Sequence, residues 1–452
     1  MSPARAAAFD ILLRVERDLS YASELLHSHS YNSLTQPDHA LATELVMGVL
    51  RWQSLLDSEI AHHSSQPLAK LDLEVLIALR LAVYQLRRLD RVPARAAIND
   101  SVELVKRARK RSAASYVNAV LRKIGAQTMV PHAAGEFVID GETIKNLAAN
   151  CAHPEWLVER WAESWGIDVA RRICQYNQSI PATAIRLRTP EAGERLEAEG
   201  VKLAPGALVA SARRVLAGDV TKTAAYRSGK CVIQDEASQL VAALVGKGSR
   251  ILDCCAAPGG KTLAIADRNL KARIAAIDVH PHRARLLRRL LGARDEAGGN
   301  SDSIQVVAAD ARAIPFTATF DCVLADVPCS GTGTLARNPE IKWRIMPADF
   351  GDLQVRQFGI LRAAMDRVAV GGRLIYSTCS LEKEENEDVI ELALAETTMF
   401  RVVDCGGELE KMRQNGELVW ENPSSLVSGP NLRTQPGVHP CDGFFAAIVE
   451  RI

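Results

Sequence analysis

Two cysteines stand where a covalent step would need them. Cys329 lies in Asp326-Val327-Pro328-Cys329-Ser330-Gly331 and Cys379 in Thr378-Cys379-Ser380, and each segment follows a short apolar run that reads as a strand. In open α/β sheets, ligands gather at the carboxyl ends of the strands. Both thiols are therefore expected at one ligand site, Cys329 beside the carboxylate of Asp326. A lone cysteine is usually buried packing. Two at adjacent strand ends, one with an acid, point instead to nucleophilic catalysis.

A pyrimidine ring gives such thiols work to do. Carbon 5 of cytosine is a poor nucleophile. A thiolate that adds to carbon 6 makes the ring enamine-like, so carbon 5 can attack an electrophilic methyl group, after which the carbon-5 proton leaves and the thiol is expelled. An acid on the Watson–Crick edge would help hold the adduct.

A methyl donor needs its own site. The turn Cys255-Ala256-Ala257-Pro258-Gly259-Gly260-Lys261-Thr262 follows the apolar run Arg250 to Cys254 and opens a helix. Its small residues let a ligand approach the backbone, and the helix start offers free N–H groups. A Walker A loop fails because position 255 is Cys rather than Gly. A dinucleotide fingerprint fails because Pro258 occupies the middle of the turn. Asp278 ends the second strand, where an acid accepts from ribose hydroxyls, and Asp310 follows the third, where it could meet an adenine amine. Together they suggest an adenosine cofactor without a phosphate tail, which S-adenosylmethionine fits.

The elements around these residues set the fold class. At 452 residues the chain is about three times a 150-residue unit, which predicts two to three domains. With 47% hydrophobic and 24% charged residues it is neither disordered nor fibrous. No apolar run reaches membrane-spanning length and the N-terminus lacks a signal core, so a cytoplasmic protein without a membrane is expected. The ten cysteines include no C-x-x-C pair, which argues for free thiols and no metal.

Residues 1–125 read as all helix, with Leu73 to Tyr84 apolar nearly all round and therefore central. Residues 126–235 read as a small α+β module, an RNA-binding or linker module, entered through a linker at Pro131 and Gly135. Residues 236–452 alternate strands and helices, which predicts a Rossmann-like parallel sheet with helices on both faces and a late strand at Phe444 to Val449. Net charge is +1 overall, yet residues 80–123 carry 12 basic and 3 acidic side chains. Lys106, Arg107, Arg109, Lys110 and Arg111 form its densest part, a candidate RNA-binding stripe. The competing expectation is a solvated helix face.

The motifs Asp253 to Thr262, Asp278, Asp310, Asp326 to Gly333, Asn338 to Trp343, Ser377 to Ser380 and Asp442 to Phe445 together resemble the Sun/RsmB family of 16S rRNA cytosine-C5 methyltransferases. The resemblance covers the whole chain, with residues 1–125 similar to a NusB-like RNA-binding domain. It implies that Cys379 attacks carbon 6, that Cys329 assists release, and that Asp326 contacts the cytosine edge. It also implies that Cys255, Ala256, Ala257, Pro258, Gly259, Gly260 and Lys261, with Asp278, Asp310 and Asp326, line the S-adenosylmethionine site. The implied target is cytidine 967 of unassembled or partly assembled 16S rRNA, and the enzyme is expected to be a monomer. Val327 departs from the family's usual alanine. The competing functions are a tRNA cytosine-C5 methyltransferase and a non-catalytic RNA-binding assembly factor.

Overall fold

The computed structural model describes residues 1–31, 33–127, 143–189, 191–296 and 303–452, with the backbone alone at residues 29 and 293–296. The expected linker at Pro131 and Gly135 lies outside the described residues. The chain forms two compact units, Met1–Ile180 with Leu335–Arg344, and Pro181–Thr334 with Ile345–Ile452.

The first unit is helical. Its centre is the helix Leu73–Arg88, in which every residue from Val75 to Gln85 except Leu76 is buried. That follows from a surface apolar nearly all round, which has to be covered, while the buried Arg80 is paired with Asp57 at 2.7 Å. The helices Pro3–Asp18, Gln36–His63, Ala94–Arg107 and Ala114–Ala126 pack with it into one core. Gly48 permits the approach of the Gln36–His63 helix, because a Cβ there would lie 2.0 Å from the Tyr84 ring.

Two segments join this unit that sequence reading assigned elsewhere. The helices Ile144–Asn150, Glu155–Trp165 and Ile167–Gln178 belong to it, and Gln178 Nε2 donates to Arg51 O at 3.1 Å. Residues Leu335–Arg344 also enter it. Trp343 Nε1 donates to Leu50 O (2.6 Å) and Lys342 Nζ to Arg51 O (2.9 Å), while Glu340 accepts from Ala22 N (2.9 Å).

The second unit holds two sheets. The smaller comprises β1 (Thr183–Leu187), β2 (Lys202–Pro205), β3 (Ala212–Ala217) and β4 (Cys231–Ile233) in the order β2-β3-β1-β4, each neighbouring pair antiparallel. Ile185, Leu196, Val201, Val220, Ala225 and Cys231 fill its core. The larger sheet contains β5 (Arg250–Asp253), β6 (Arg273–Asp278), β7 (Ile304–Ala308), β8 (Phe320–Asp326), β9 (Val368–Thr378), β10 (Phe400–Val403), β11 (Val427–Ser428), β12 (Asn431–Thr434) and β13 (Phe444–Arg451). Its order is β11-β12-β13-β9-β8-β5-β6-β7, with β10 on β13.

The run β7-β6-β5-β8-β9 is parallel, as expected. The late strand β13 instead pairs antiparallel with β9, β10 and β12. A parallel return needs a crossover of about a dozen or more residues, and only residues 435–443 separate β12 from β13. Strand order reverses between β5 and β8, which places a crevice over their carboxyl ends.

Candidate active site

The register of the central strands builds the site. β8 and β9 pair so that Asp326 lies opposite Ser377, and Ser377 Oγ donates to Asp326 Oδ1 at 2.8 Å. Asp326 Oδ2 takes Lys261 Nζ at 2.7 Å, from the first turn of the helix Gly260–Arg268 after β5. Burial opposes charge on Lys261, but the Asp326 carboxylate wins and holds the ammonium above its ordinary value. The ammonium also lies 4.9 Å from the centre of the Phe444 ring.

Just beyond these strand ends the two cysteines meet. Cys329 Sγ and Cys379 Sγ are 3.2 Å apart, and Cys379 N donates to Cys329 Sγ at 3.3 Å. Cys379 as a hydrogen-bond partner, followed by burial, raises the Cys329 thiol well above its usual value. The loop carrying Cys329 is tied back by Gly333 N, which donates to Cys379 O at 2.9 Å, while Gly443 N donates to Gly333 O at 2.8 Å. No other residue fits at 333, because a Cβ would stand 2.2 Å from Gly443 O. Val327 is buried and its N–H donates to Ser377 O, so its extra volume goes into the core.

The turn residues lie at the other side of the reversal. Asp253, at the end of β5, is fully buried, and Thr262 Oγ1 donates to its Oδ2 at 2.7 Å. Among the described residues its Oδ1 meets no donor in good hydrogen-bonding geometry, and burial pushes the carboxyl up to about 7. Asp278 is buried, with Oδ1 accepting from His280 N at 2.8 Å. Asp310 caps the turn at Ala311–Ala313 and pairs with Arg312 at 2.6 Å. The Arg312 side-chain and backbone hydrogen bonds hold its carboxyl below the usual range. Cys254, beside the turn, is buried in the apolar core.

S-adenosylmethionine fits this set of groups. An orphaned buried carboxylate oxygen on Asp253 suits a ligand's ammonium, a buried acid on Asp278 suits hydroxyl donors, and the Gly260–Arg268 helix begins without a side-chain cap.

The basic stripe is less free than its composition suggests. Lys106 pairs with Glu103, Arg107 with Asp10 and Lys110 with Asp72, at 2.7, 2.7 and 3.0 Å. Arg109 and Arg111 are exposed, and neither has an acidic partner among the described residues.

Residues 243–450 match the family model for the 16S rRNA methyltransferase RsmB/F. Residues 2–126 match the NusB family, and residues 153–217 the ferredoxin-like domain of RsmF/B-like methyltransferases. A Bacillus subtilis protein named probable ribosomal RNA small subunit methyltransferase B is 34% identical over 98% of this chain and 97% of its own length. The chain belongs to the RsmB/F methyltransferase family. A Synechocystis protein of the same name is 32% identical, with 100% of both chains covered. The crystal structure of PH0851 shares the fold with a TM-score of 0.78 at 23% identity, covering 100% of this chain and 98% of that one. A methyltransferase homolog from Pyrococcus horikoshii matches with a TM-score of 0.56 at 24% identity, over 68% of this chain and 99% of that one.

In this RsmB/F chain, Cys329, Cys379, Asp326 and Lys261 come together at adjoining strand ends. Asn338 to Trp343, also part of the motif set, instead pack within the helical unit. Sequence reasoning missed Ser377 and Phe444 as partners of Asp326 and Lys261, and it missed Asp253 as a site acid. Asp253 carried a signal, since it ends a strand just as Asp278 does. It missed as well that Arg188 grips Asp267 of the Gly260–Arg268 helix through two 2.8 Å bonds, with Arg186 adding a third at 2.9 Å. The small sheet thereby anchors the helix that carries Lys261.

Proposed function

We propose that this chain methylates carbon 5 of a cytidine in 16S rRNA, position 967 in conventional numbering, through an adduct between Cys379 and carbon 6. The observation that carries this reading is the pair of sulfurs 3.2 Å apart beside the Asp326–Lys261 ion pair. Residues Cys255 to Lys261, with Asp278, Asp310 and Asp326, would hold S-adenosylmethionine. That cofactor supplies an electrophilic methyl group when bound.

Cys379 attacks carbon 6 as a thiolate, with the Lys261 cation close enough to interact with its charge. Asp326 is fixed by Ser377 and Lys261 before the base arrives, so its acceptor is preorganised for the cytosine edge. Cys329, whose sulfur lies 3.2 Å from that of Cys379, acts as the base for release. It first gives its own proton to solvent and then takes the proton on carbon 5; the electron pair of that C–H bond restores the carbon 5–carbon 6 double bond and expels Cys379 as a thiolate.

Residues 1–125 would bind RNA, 126–235 would serve as an RNA-binding or linker module, and 236–452 would carry the chemistry. The protein would act as a cytoplasmic monomer on unassembled or partly assembled rRNA. The target base must leave its stack to reach Cys379, so a loop or bulge is preferred over a duplex. RNA containing 5-fluorocytidine tests the reading, because fluorine at carbon 5 cannot leave as a proton. A covalent complex on a denaturing gel, dependent on Cys379 and the methyl donor, is expected. Its absence with the active protein would overturn the assignment.

A further inference from the structure

The two cysteine loops share one buried acid. Glu385 is completely buried, at 0% exposure. Its Oε1 accepts from Ser330 N and from Gln357 Nε2, both at 2.8 Å. Its Oε2 accepts from the hydroxyls of Ser330 and Ser380. A carboxylate has about four lone-pair sites, and here four donors meet them.

Those donors are not scattered. Ser330 directly follows Cys329, and Ser380 directly follows Cys379. Gln357 comes from the helix Asp349–Met365, and its Nε2 also donates to Pro328 O at 2.9 Å, the residue before Cys329. Cys329 is thus bracketed on both sides by one hydrogen-bonded cluster. The two serine hydroxyls lie 3.1 Å apart, and Tyr376, also completely buried, donates its hydroxyl to Glu385 O at 2.6 Å.

We infer that Glu385 is a positioning residue that sets the Cys329–Cys379 distance by holding the residue after each thiol. It touches no reacting atom. The inference rests on the proposed roles of the two cysteines, but the geometry it explains can be measured without RNA. Gly333 N also ties the two loops through Cys379 O, but Glu385 is the group that holds the residue after each thiol to one point. Aspartate, one methylene shorter, keeps the charge and cannot span the same four donors.

The test uses the full chain and two readouts. The first is the rate at which diamide joins Cys329 to Cys379, located by peptide mapping. Diamide takes up the two electrons and two protons released as the S–S bond forms, and the rate reports the juxtaposition of the sulfurs. The second is the single-turnover methylation rate on rRNA, normalised to sites that bind S-adenosylmethionine. Glu385→Asp is expected to slow both at least tenfold, with methyl-donor affinity within twofold of the native chain. Ser330→Ala/Ser380→Ala takes its place if Glu385→Asp does not fold. Unchanged rates in both readouts overturn the inference. A native chain that cross-links readily but forms no adduct with 5-fluorocytidine RNA overturns the proposed function instead, and the cross-linking comparison still decides the role of Glu385.

Discussion

The sulfurs of Cys329 and Cys379 stand 3.2 Å apart although 50 residues separate them in sequence. Neither thiol alone distinguishes attack from release. The proposed roles, attack by Cys379 and release by Cys329, rest on their different surroundings: Cys329 also accepts the Cys379 N–H, and Cys379 together with burial raises its thiol well above the usual value. Cys379→Ala should abolish methyl transfer and leave methyl-donor binding intact. Cys329→Ala should instead accumulate a covalent RNA complex through Cys379, visible on a denaturing gel. A free and fully active Cys329→Ala enzyme would remove that thiol from the mechanism.

Asp278→Ala should weaken S-adenosylmethionine binding. Losing charge-assisted hydrogen bonds costs about 1.5–3 kcal/mol, or roughly ten- to hundredfold in the dissociation constant. Calorimetry on the full chain checks this, and an unchanged affinity would place the ribose elsewhere.

Gly333→Ala should displace the Cys329 loop, since the added methyl group would lie 2.2 Å from Gly443 O and 2.8 Å from Cys379 O. Backbone atoms cannot yield as a side-chain tip can, so a cost of about 1–3 kcal/mol is expected. Methylation should fall far more than the urea midpoint does. Native turnover would show that the loop can move without consequence.

The ion pairs within the basic stripe make a discriminating prediction. Arg109→Ala/Arg111→Ala removes cations that have no acidic partner among the described residues and should flatten the salt dependence of RNA binding by about 1.4. Lys106→Ala/Arg107→Ala removes cations already paired with Glu103 and Asp10 and should change it less. Equal slopes in both double variants and the native chain would leave the stripe as a solvated surface.

Lys342 predicts a pH dependence of the helical unit. Burial pulls its amine down to about 7, whereas an unfolded lysine titrates near 10.4. Below pH 7 both states hold the proton and this group adds no slope. Between pH 7 and about 10 the unfolded state binds more protons, so stability rises by at most about 1.4 kcal/mol per pH unit. Lys342→Met should remove that rise. Arg51 O would keep a donor, because Gln178 Nε2 also reaches it. Hydrogen-exchange protection of the Gln36–His63 helix at pH 7 and pH 9 measures the effect.

The sequence by itself determined the local elements and their punctuation. An apolar run such as Ile274 to Ile277 followed by Asp278 reads as a buried strand with an acid at its carboxyl end. A helix apolar nearly all round, as Leu73 to Tyr84 is, must be central. Both follow from side-chain periodicity, which acts over a few residues. Tertiary structure alone decided which distant groups meet. The register of β8 on β9 brings Ser377 to Asp326, Gly333 closes on Gly443, and Glu385 collects the serines beside both thiols. It also sent Lys342 and Trp343 into the helical unit, and it turned β13 antiparallel. A buried polar group must find a partner, but its chemistry specifies only the kind of partner. Which donor supplies it depends on how strands and loops far apart in the chain are packed.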